Sequence, residues 1–190
     1  MNKKNKIAIF ASKNASNLEP IYNAIKENIL NANIVLLLSN NTNAPALQKA
    51  KELGINTIVI NSKNSNNIAQ DIYDELIKYD SKYIILSGYM KKLDSLITNN
   101  FIVINTHPAL LPSYGGAGMY GKYVHEAVIK NNEQYSGTTV HYVNENYDEG
   151  KIILQEKIEL EQNETVDTLE LKIKELEKIA IIKALKLCLK

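Results

Sequence analysis

Short apolar runs alternate with amphipathic segments through the first half of the chain, and this alternation constrains the fold most. The apolar runs are rich in Ile, Val and Leu and predict five strands: Lys6–Ala11, Asn33–Ser39, Ile55–Ile60, Tyr83–Ser87 and Phe101–Asn105. Apolar residues at helical spacing predict one helix after Asn17 that ends at about Ile29, and two more over Ala44–Leu53 and Ile68–Tyr79. Short strands that alternate with helices indicate βαβ units and a parallel sheet.

The second half adds two strands and a long helix. Strands are predicted over Ser136–Val143, which alternates in polarity, and over Ile152–Leu160, and a helix begins near Tyr123. Thr165–Lys190 is predicted to be helical because five apolar residues recur at steps of three and four: Val166, Leu169, Ile173, Leu176 and Ala180. We therefore expect a three-layer α/β fold, a mostly parallel twisted sheet of about seven strands with helices on both faces and one antiparallel strand in the second half.

A side-chain amide and an imidazole follow the fifth apolar run, within the stretch Asn105–Pro112. If the backbone is still extended there, Asn105 and His107 project to the same side, since alternate residues of a strand share a face. Pro108 favours an extended His107, because the residue before a proline avoids the helical region. Ligands of open α/β sheets bind at the carboxyl ends of strands, so the pair marks a candidate site. For such a pair in isolation, a polar turn is the commoner explanation.

Three glycine-containing segments follow this stretch in a fixed order. The loop Ser113–Gly121 holds four of the eight glycines of the chain, and Gly137–His141 and Tyr147–Gly150 come next. The ordered series N-T-H-P-A-L-L-P, G-T-T-V-H and Y-D-E-G resembles the folate-dependent formyltransferase family, whose pattern is met at every one of these positions. The resemblance covers essentially the whole chain and is strongest from Ile84 to Gln155.

The resemblance implies a Rossmann-like formyltransferase fold in a single domain over residues 1–190, with a mononucleotide-binding half, 1–100, and a catalytic and folate-binding half, 101–190. It implies that a formyl group passes from 10-formyltetrahydrofolate, as co-substrate, to the amine of glycinamide ribonucleotide (GAR) in purine biosynthesis, without a metal. Three alternatives stay open: another formyltransferase of the family, a formyltetrahydrofolate deformylase, or a phosphate-binding α/β module without catalysis. The first two resemble two-domain proteins, which a chain of this length cannot accommodate.

The resemblance also assigns roles to residues of this chain. Asn105 and His107 would donate hydrogen bonds to the oxyanion, and Asp148 would keep His107 charged near neutral pH and accept or relay the proton of the amine. GAR binding is assigned to Ala15, Ser16, Asn17 and Glu177. Folate binding is assigned to Met90, Lys91, Lys92, Leu93 and Asn105. The Leu111–Pro112 bond is expected to be cis.

Other residues of these segments depart from the family pattern or keep ordinary structural roles. The segment Ser12–Asn17 corresponds to the loop of the family that binds the GAR phosphate, which has the pattern S-G-x-G-S-N. Lys13 and Ala15 replace its two glycines. All 22 basic residues are lysines, so no bidentate guanidinium clamp is available and Lys91 stands where the family has arginine. Of the remaining histidines, His125 is expected to be exposed on its helix, and His141 to be a packed, hydrogen-bonded strand residue.

Composition narrows the class of partner. A net charge of +1 gives no electrostatic reason to expect nucleic acid or an anionic membrane as a partner. No run approaches the roughly 20 apolar residues that a membrane helix needs. Cys188 is the only cysteine, which excludes an intrachain disulfide and a cysteine metal cluster. We expect a cytoplasmic protein that binds small molecules, as a monomer or a homodimer.

Overall fold

The computed structural model describes residues 4–189. Its strands are β1 Asn5–Phe10, β2 Ala32–Ser39, β3 Thr57–Val59, β4 Tyr83–Leu86, β5 Ile102–His107, β6 Tyr135–Tyr142 and β7 Ile152–Glu159. Its helices are α1 Leu18–Lys26, α2 Pro45–Glu52, α3 Ile68–Lys78, α4 Ser95–Asn100, α5 Lys122–Lys130 and α6 Val166–Cys188. Within these residues the strands form one seven-stranded sheet in the order β3-β2-β1-β4-β5-β6-β7. The predicted seven-stranded α/β fold is confirmed.

The predicted elements agree with the observed ones in type and differ at their ends. Strand β3 is shorter than its apolar run, and β5 continues past Asn105 to His107. Helix α4 is absent from the sequence prediction, although its signal is present, since the Asp94 carboxylate accepts the Leu96 N–H at 2.8 Å and caps the helix. The predicted helix end at Lys190 lies outside the described residues.

One compact unit comprises the described residues up to Ile104 together with Leu189, and it contains β1 to β4. Strand β1 pairs in parallel with β2 and β4, and β2 pairs in parallel with β3. The central strands are apolar on both faces, and Ile7, Ile9 and Phe10 are fully buried. Such continuous apolar runs are typical of parallel strands that are covered on both sides.

A second compact unit comprises Asn105–Cys188. Strand β6 pairs antiparallel with β7, as expected for the second half. Helix α6 buries three of the five residues of its predicted stripe, Leu169, Ile173 and Ala180. Leu169 and Ile173 form a small core with Val128 of α5. No helix in the part of the chain that the structure describes is long and apolar enough to cross a membrane.

Candidate active site

Strand β5 presents the predicted amide and imidazole on one face. Because the strand continues through His107, Asn105 and His107 project to the same side of the sheet, as expected. His107 is 3% exposed and Asn105 is half-buried. The Thr138 hydroxyl of β6 donates to the backbone carbonyl of His107 at 3.0 Å and fixes the end of the strand.

The segment after His107, Pro108–Pro112, forms a turn that we call the proline turn, and side chains of β6 and β7 hold it in place. The Leu111–Pro112 bond is cis, as expected. The Thr139 hydroxyl donates to the carbonyl of Ala109 at 2.6 Å and accepts the N–H of Leu111 at 3.0 Å. Gln155 donates from Nε2 to the carbonyl of Leu111 and to Thr139 Oγ1, both at 2.9 Å. The two threonines of the G-T-T-V-H motif therefore position the segment that carries His107.

The Asp148 carboxylate lies between two imidazoles. Its Oδ2 is 3.5 Å from Nδ1 of His107, and its Oδ1 is 3.5 Å from Nε2 of His141. The N–H of Gly116 donates to Oδ2 at 3.0 Å. The expected proximity of the carboxylate to the His107 imidazole is observed.

The backbone after Asp148 passes so close to Tyr142 that position 150 requires a glycine. Asp148 has a left-handed backbone, with φ of 58°, so the chain turns sharply there. A Cβ on Gly150 would lie 1.6 Å from the carbonyl oxygen of Tyr142, a distance that no side chain tolerates. Only glycine lets the chain pass Tyr142 this closely, two residues after Asp148.

The pKa values of His107 and Asp148 both lie below their ordinary values. Burial lowers the pKa of His107 below its ordinary value of 6.5, and the charge of Asp148 opposes this only in part. The direction of this shift favours a neutral imidazole in the free protein, and the expectation that Asp148 keeps His107 charged near neutral pH stays a prediction. Burial alone would raise the pKa of Asp148, but both imidazoles and the Gly116 N–H hold it below its ordinary value. The two shifts thus favour an ionised carboxylate beside a neutral imidazole.

The glycine-rich loop contacts the site through its first residues. Nε2 of His107 lies 2.7 Å from the carbonyl oxygen of Tyr114, so Nε2 carries the proton and donates. The Tyr114 hydroxyl donates to Glu133 at 2.6 Å and accepts from Asn131 at 3.0 Å. A Cβ on Gly115 would lie 2.6 Å from the Leu111 side chain, so the loop packs closely on the proline turn.

The two remaining histidines are both buried. His141 is 1% exposed, with Nδ1 2.9 Å from the carbonyl of Tyr142 and Nε2 3.3 Å from Nδ2 of Asn105, so the expectation of a packed, hydrogen-bonded residue is confirmed. Its contacts with the site were not predicted, although its place in the G-T-T-V-H motif was the available signal. The expectation of an exposed His125 is wrong: it is 2% exposed, because it lies between Val124 and Val128 on the buried face of α5.

The predicted phosphate-binding loop lies in the first unit. Ala15 is buried and has φ of 50°, so it keeps the left-handed backbone that a glycine adopts easily. Ser16 is exposed. Asn17 precedes α1, and its N–H already donates to the Ser87 hydroxyl at 3.0 Å. The features of this loop that suit an anion are the exposed Lys13 and Ser16 and the start of the helix.

A cavity of about 890 Å³ also lies in the first unit, at the ends of β1 to β4. Four of its lining residues are those assigned to folate: Met90, Lys91, Lys92 and Leu93. Ser12, which was not predicted as a site residue, also lines the cavity. Its hydroxyl donates to Asn40 at 2.6 Å and accepts the N–H of Met90 at 2.7 Å, so it links two segments of the lining. Lys13 and Lys63 also line the cavity, so it can bind an anion that carries an apolar group.

Glu177 lies on α6 in the second unit and is half-buried. Burial raises the pKa of its carboxyl group to about 8, and the charge of Lys174 opposes the rise. Among residues 4–189, no hydrogen bond or ion pair links the Glu177 side chain to Asn105, His107 or Asp148. Groups of three or more side chains suited to a metal ion are absent from residues 4–189.

Comparisons with known proteins agree on one family. The sequence pattern of the family described as formyl transferase matches residues 5–185. A phosphoribosylglycinamide formyltransferase of Haemophilus influenzae is 36% identical over 177 residues, which cover 90% of this chain and 81% of the relative. A chloroplastic enzyme of the same name from Arabidopsis thaliana is 34% identical over 173 residues, which cover 88% of this chain. The match spans only 59% of the length of that plant relative. The crystal structure of phosphoribosylglycinamide formyltransferase from Bacillus halodurans is 28% identical, with a TM-score of 0.87 over 96% of this chain and 94% of that chain.

Proposed function

Because this chain belongs to the formyl transferase family, we propose that it transfers the formyl group of 10-formyltetrahydrofolate to the amine of GAR, which is phosphoribosylglycinamide. The observation that carries the proposal is the arrangement of Asn105, His107 and Asp148 in the second unit, where a side-chain amide, a neutral imidazole and an ionised carboxylate lie together. The names of the relatives supply the substrate.

The reaction is a direct acyl transfer. The GAR nitrogen attacks the formyl carbon, a new carbon–nitrogen bond forms, and the carbonyl oxygen becomes an oxyanion. The bond between the formyl carbon and N10 of the folate then breaks, and N10 takes up the proton that the amine has lost. The side-chain amide of Asn105 can donate to the oxyanion, which is the usual requirement of acyl-transfer sites.

The charge state of the imidazole and carboxylate supports a role in moving that proton. His107 is mainly neutral in the free protein, and its Nδ1 faces the ionised Asp148. A proton from the attacking amine can therefore be taken up on Nδ1, where Asp148 stabilises the resulting imidazolium. The charged imidazole then adds to the stabilisation of the oxyanion until N10 receives the proton.

Substrate binding is assigned to residues of both units. We propose that Met90, Lys91, Lys92 and Leu93, which line the cavity of the first unit, bind formyl folate. Asn105 of the second unit is proposed as a further folate-binding residue. GAR is assigned to Ala15, Ser16 and Asn17 for its phosphate, and to Glu177 for its ribose hydroxyls. A Ser16→Asp variant brings a negative charge to the start of α1 and should weaken GAR binding more than tenfold. Unchanged binding, measured by calorimetry, would remove the phosphate from this loop.

One assay distinguishes the proposed function from its alternatives. The protein is mixed with 10-formyltetrahydrofolate, with and without GAR, and the release of tetrahydrofolate is followed by absorbance. Release that requires GAR supports the proposal, and release without any acceptor indicates a deformylase instead. No release under either condition, with folate bound, would indicate a different acceptor or a binding module. The Asn105→Ala variant serves as the control for background hydrolysis.

A further inference from the structure

The hydrogen bonds of His141 determine which of its nitrogens carries a proton. The buried imidazole lies with Nδ1 2.9 Å from the backbone carbonyl oxygen of Tyr142. A carbonyl oxygen can only accept, so Nδ1 must be the donor. In a neutral imidazole the other nitrogen then has no proton and can only accept. As long as the ring is neutral, Nε2 of His141 is therefore an acceptor.

This acceptor fixes the orientation of the catalytic amide. Nε2 of His141 lies 3.3 Å from Nδ2 of Asn105. The amide must turn its NH₂ group toward Nε2, because with the amide reversed two acceptors would face each other and neither would be satisfied. One N–H of Asn105 is thus used by His141, and the planar amide directs the second N–H away from it.

We propose that His141 is a positioning residue that sets the orientation of the Asn105 amide and so aims its second N–H at the formyl oxygen. The catalytic meaning of this inference rests on the proposed formyl transfer. Asp148 Oδ1 also faces Nε2, at 3.5 Å. A proton on Nε2 would make that nitrogen a donor to Asp148 and would require Asn105 to turn its oxygen toward the ring. The two states of His141 therefore aim the amide N–H groups in different directions.

Two substitutions separate positioning from packing. His141→Gln keeps a side-chain group that can accept the N–H of Asn105. His141→Phe keeps an aromatic ring of similar shape but has no hydrogen-bond acceptor. We expect His141→Phe to lower kcat about 10- to 100-fold, the size of loss that a misplaced catalytic group causes. His141→Gln should restore most of that loss, and KM for GAR should change less than about threefold in both variants.

The Asn105→Ala background provides the decisive control. If His141 acts through the amide, His141→Phe should cost less than about twofold in kcat once the amide is gone. An equal loss in both backgrounds would overturn the proposal, since it would show that His141 acts independently of Asn105. Equal losses for His141→Gln and His141→Phe in the wild-type background would overturn it as well.

A measurement on the unaltered protein keeps the test independent of how the variants fold. The ¹⁵N chemical shifts of the His141 ring near neutral pH report which nitrogen carries the proton, and we expect Nδ1 to be protonated and Nε2 to be bare. A proton on Nε2 overturns the positioning role even where the enzyme is fully active. An unaltered protein that transfers no formyl group to GAR contradicts the proposed function instead, so the two failures are distinguishable.

Discussion

Glu177→Gln should stabilise the protein at alkaline pH and have little effect at acid pH. The carboxyl group has a pKa of about 8 in the folded protein and an ordinary value of 4.5. Between these two values the unfolded chain ionises while the folded protein keeps its proton, so the free energy of unfolding falls as the pH rises from 4.5 to about 8. Glutamine is neutral throughout and avoids this loss.

The size of the effect follows from the pKa difference. Each unit of pKa is worth about 1.4 kcal/mol, so the full rise corresponds to about 5 kcal/mol above pH 8. Glu177 is only partly buried, and solvent and Lys174 reduce that figure, so we expect about 2–3 kcal/mol. For a chain of this size that free energy corresponds to a rise in Tm of about 4–12 °C at roughly pH 9. At roughly pH 5 the rise should be under about 2 °C.

Thermal unfolding without substrates, followed by circular dichroism at both pH values, measures the effect. Glu175→Gln is the matched control, since Glu175 lies on the same helix, is exposed and pairs with Lys178 on the surface. That control should shift Tm by less than about 2 °C at either pH. A Glu177→Gln variant with the same Tm shift at both pH values would refute the reasoning, because it would show that the carboxyl group ionises alike in the folded and unfolded chain.

Three further substitutions test the site. Asp148→Asn should lower kcat about 100-fold or more, with Glu149→Gln unaffected, because the proton taken up by His107 loses its counter-charge; wild-type turnover of Asp148→Asn would contradict the pairing. Ala15→Gly should raise stability by about 1 kcal/mol, seen as a higher Tm, because Ala15 has a left-handed backbone; a lower Tm would show that its conformation is not strained. Gly150→Ala should lower the free energy of unfolding by about 1–3 kcal/mol, and it should also lower kcat, because the backbone shift would displace Asp148. An unchanged Tm and kcat would refute the close approach to Tyr142.

Local sequence pattern was sufficient to predict the seven strands, every helix except α4, and the shared face of Asn105 and His107. A strand has a period of two and a proline restricts its neighbour, so the shared face of these two residues needed no information from distant parts of the chain. Burial of His125 and the pKa of His107 could not be obtained in this way. Both depend on which elements pack over the residue, and that packing involves positions far apart in sequence.

The contacts of His141 illustrate the same limit. Periodicity places His141 on a strand, but its meeting with Asn105 depends on how residues 36 positions apart come together. Only the full set of family motifs pointed to this region of the fold. The motif alone did not indicate that its histidine contacts the catalytic amide, because a sequence pattern contains no distances.

His107 and the proline turn are hydrogen-bonded to Thr138, Thr139 and Gln155, which all lie on strands β6 and β7. The glycine-rich loop reaches the site through its first residues: Tyr114 and Gly116 form hydrogen bonds with His107 and Asp148, and Gly115 packs against Leu111. Insertions and deletions after Gly116 can therefore accumulate without moving the reactive groups. Over evolutionary time such an arrangement lets the loop change its length while the reactive groups are inherited unchanged.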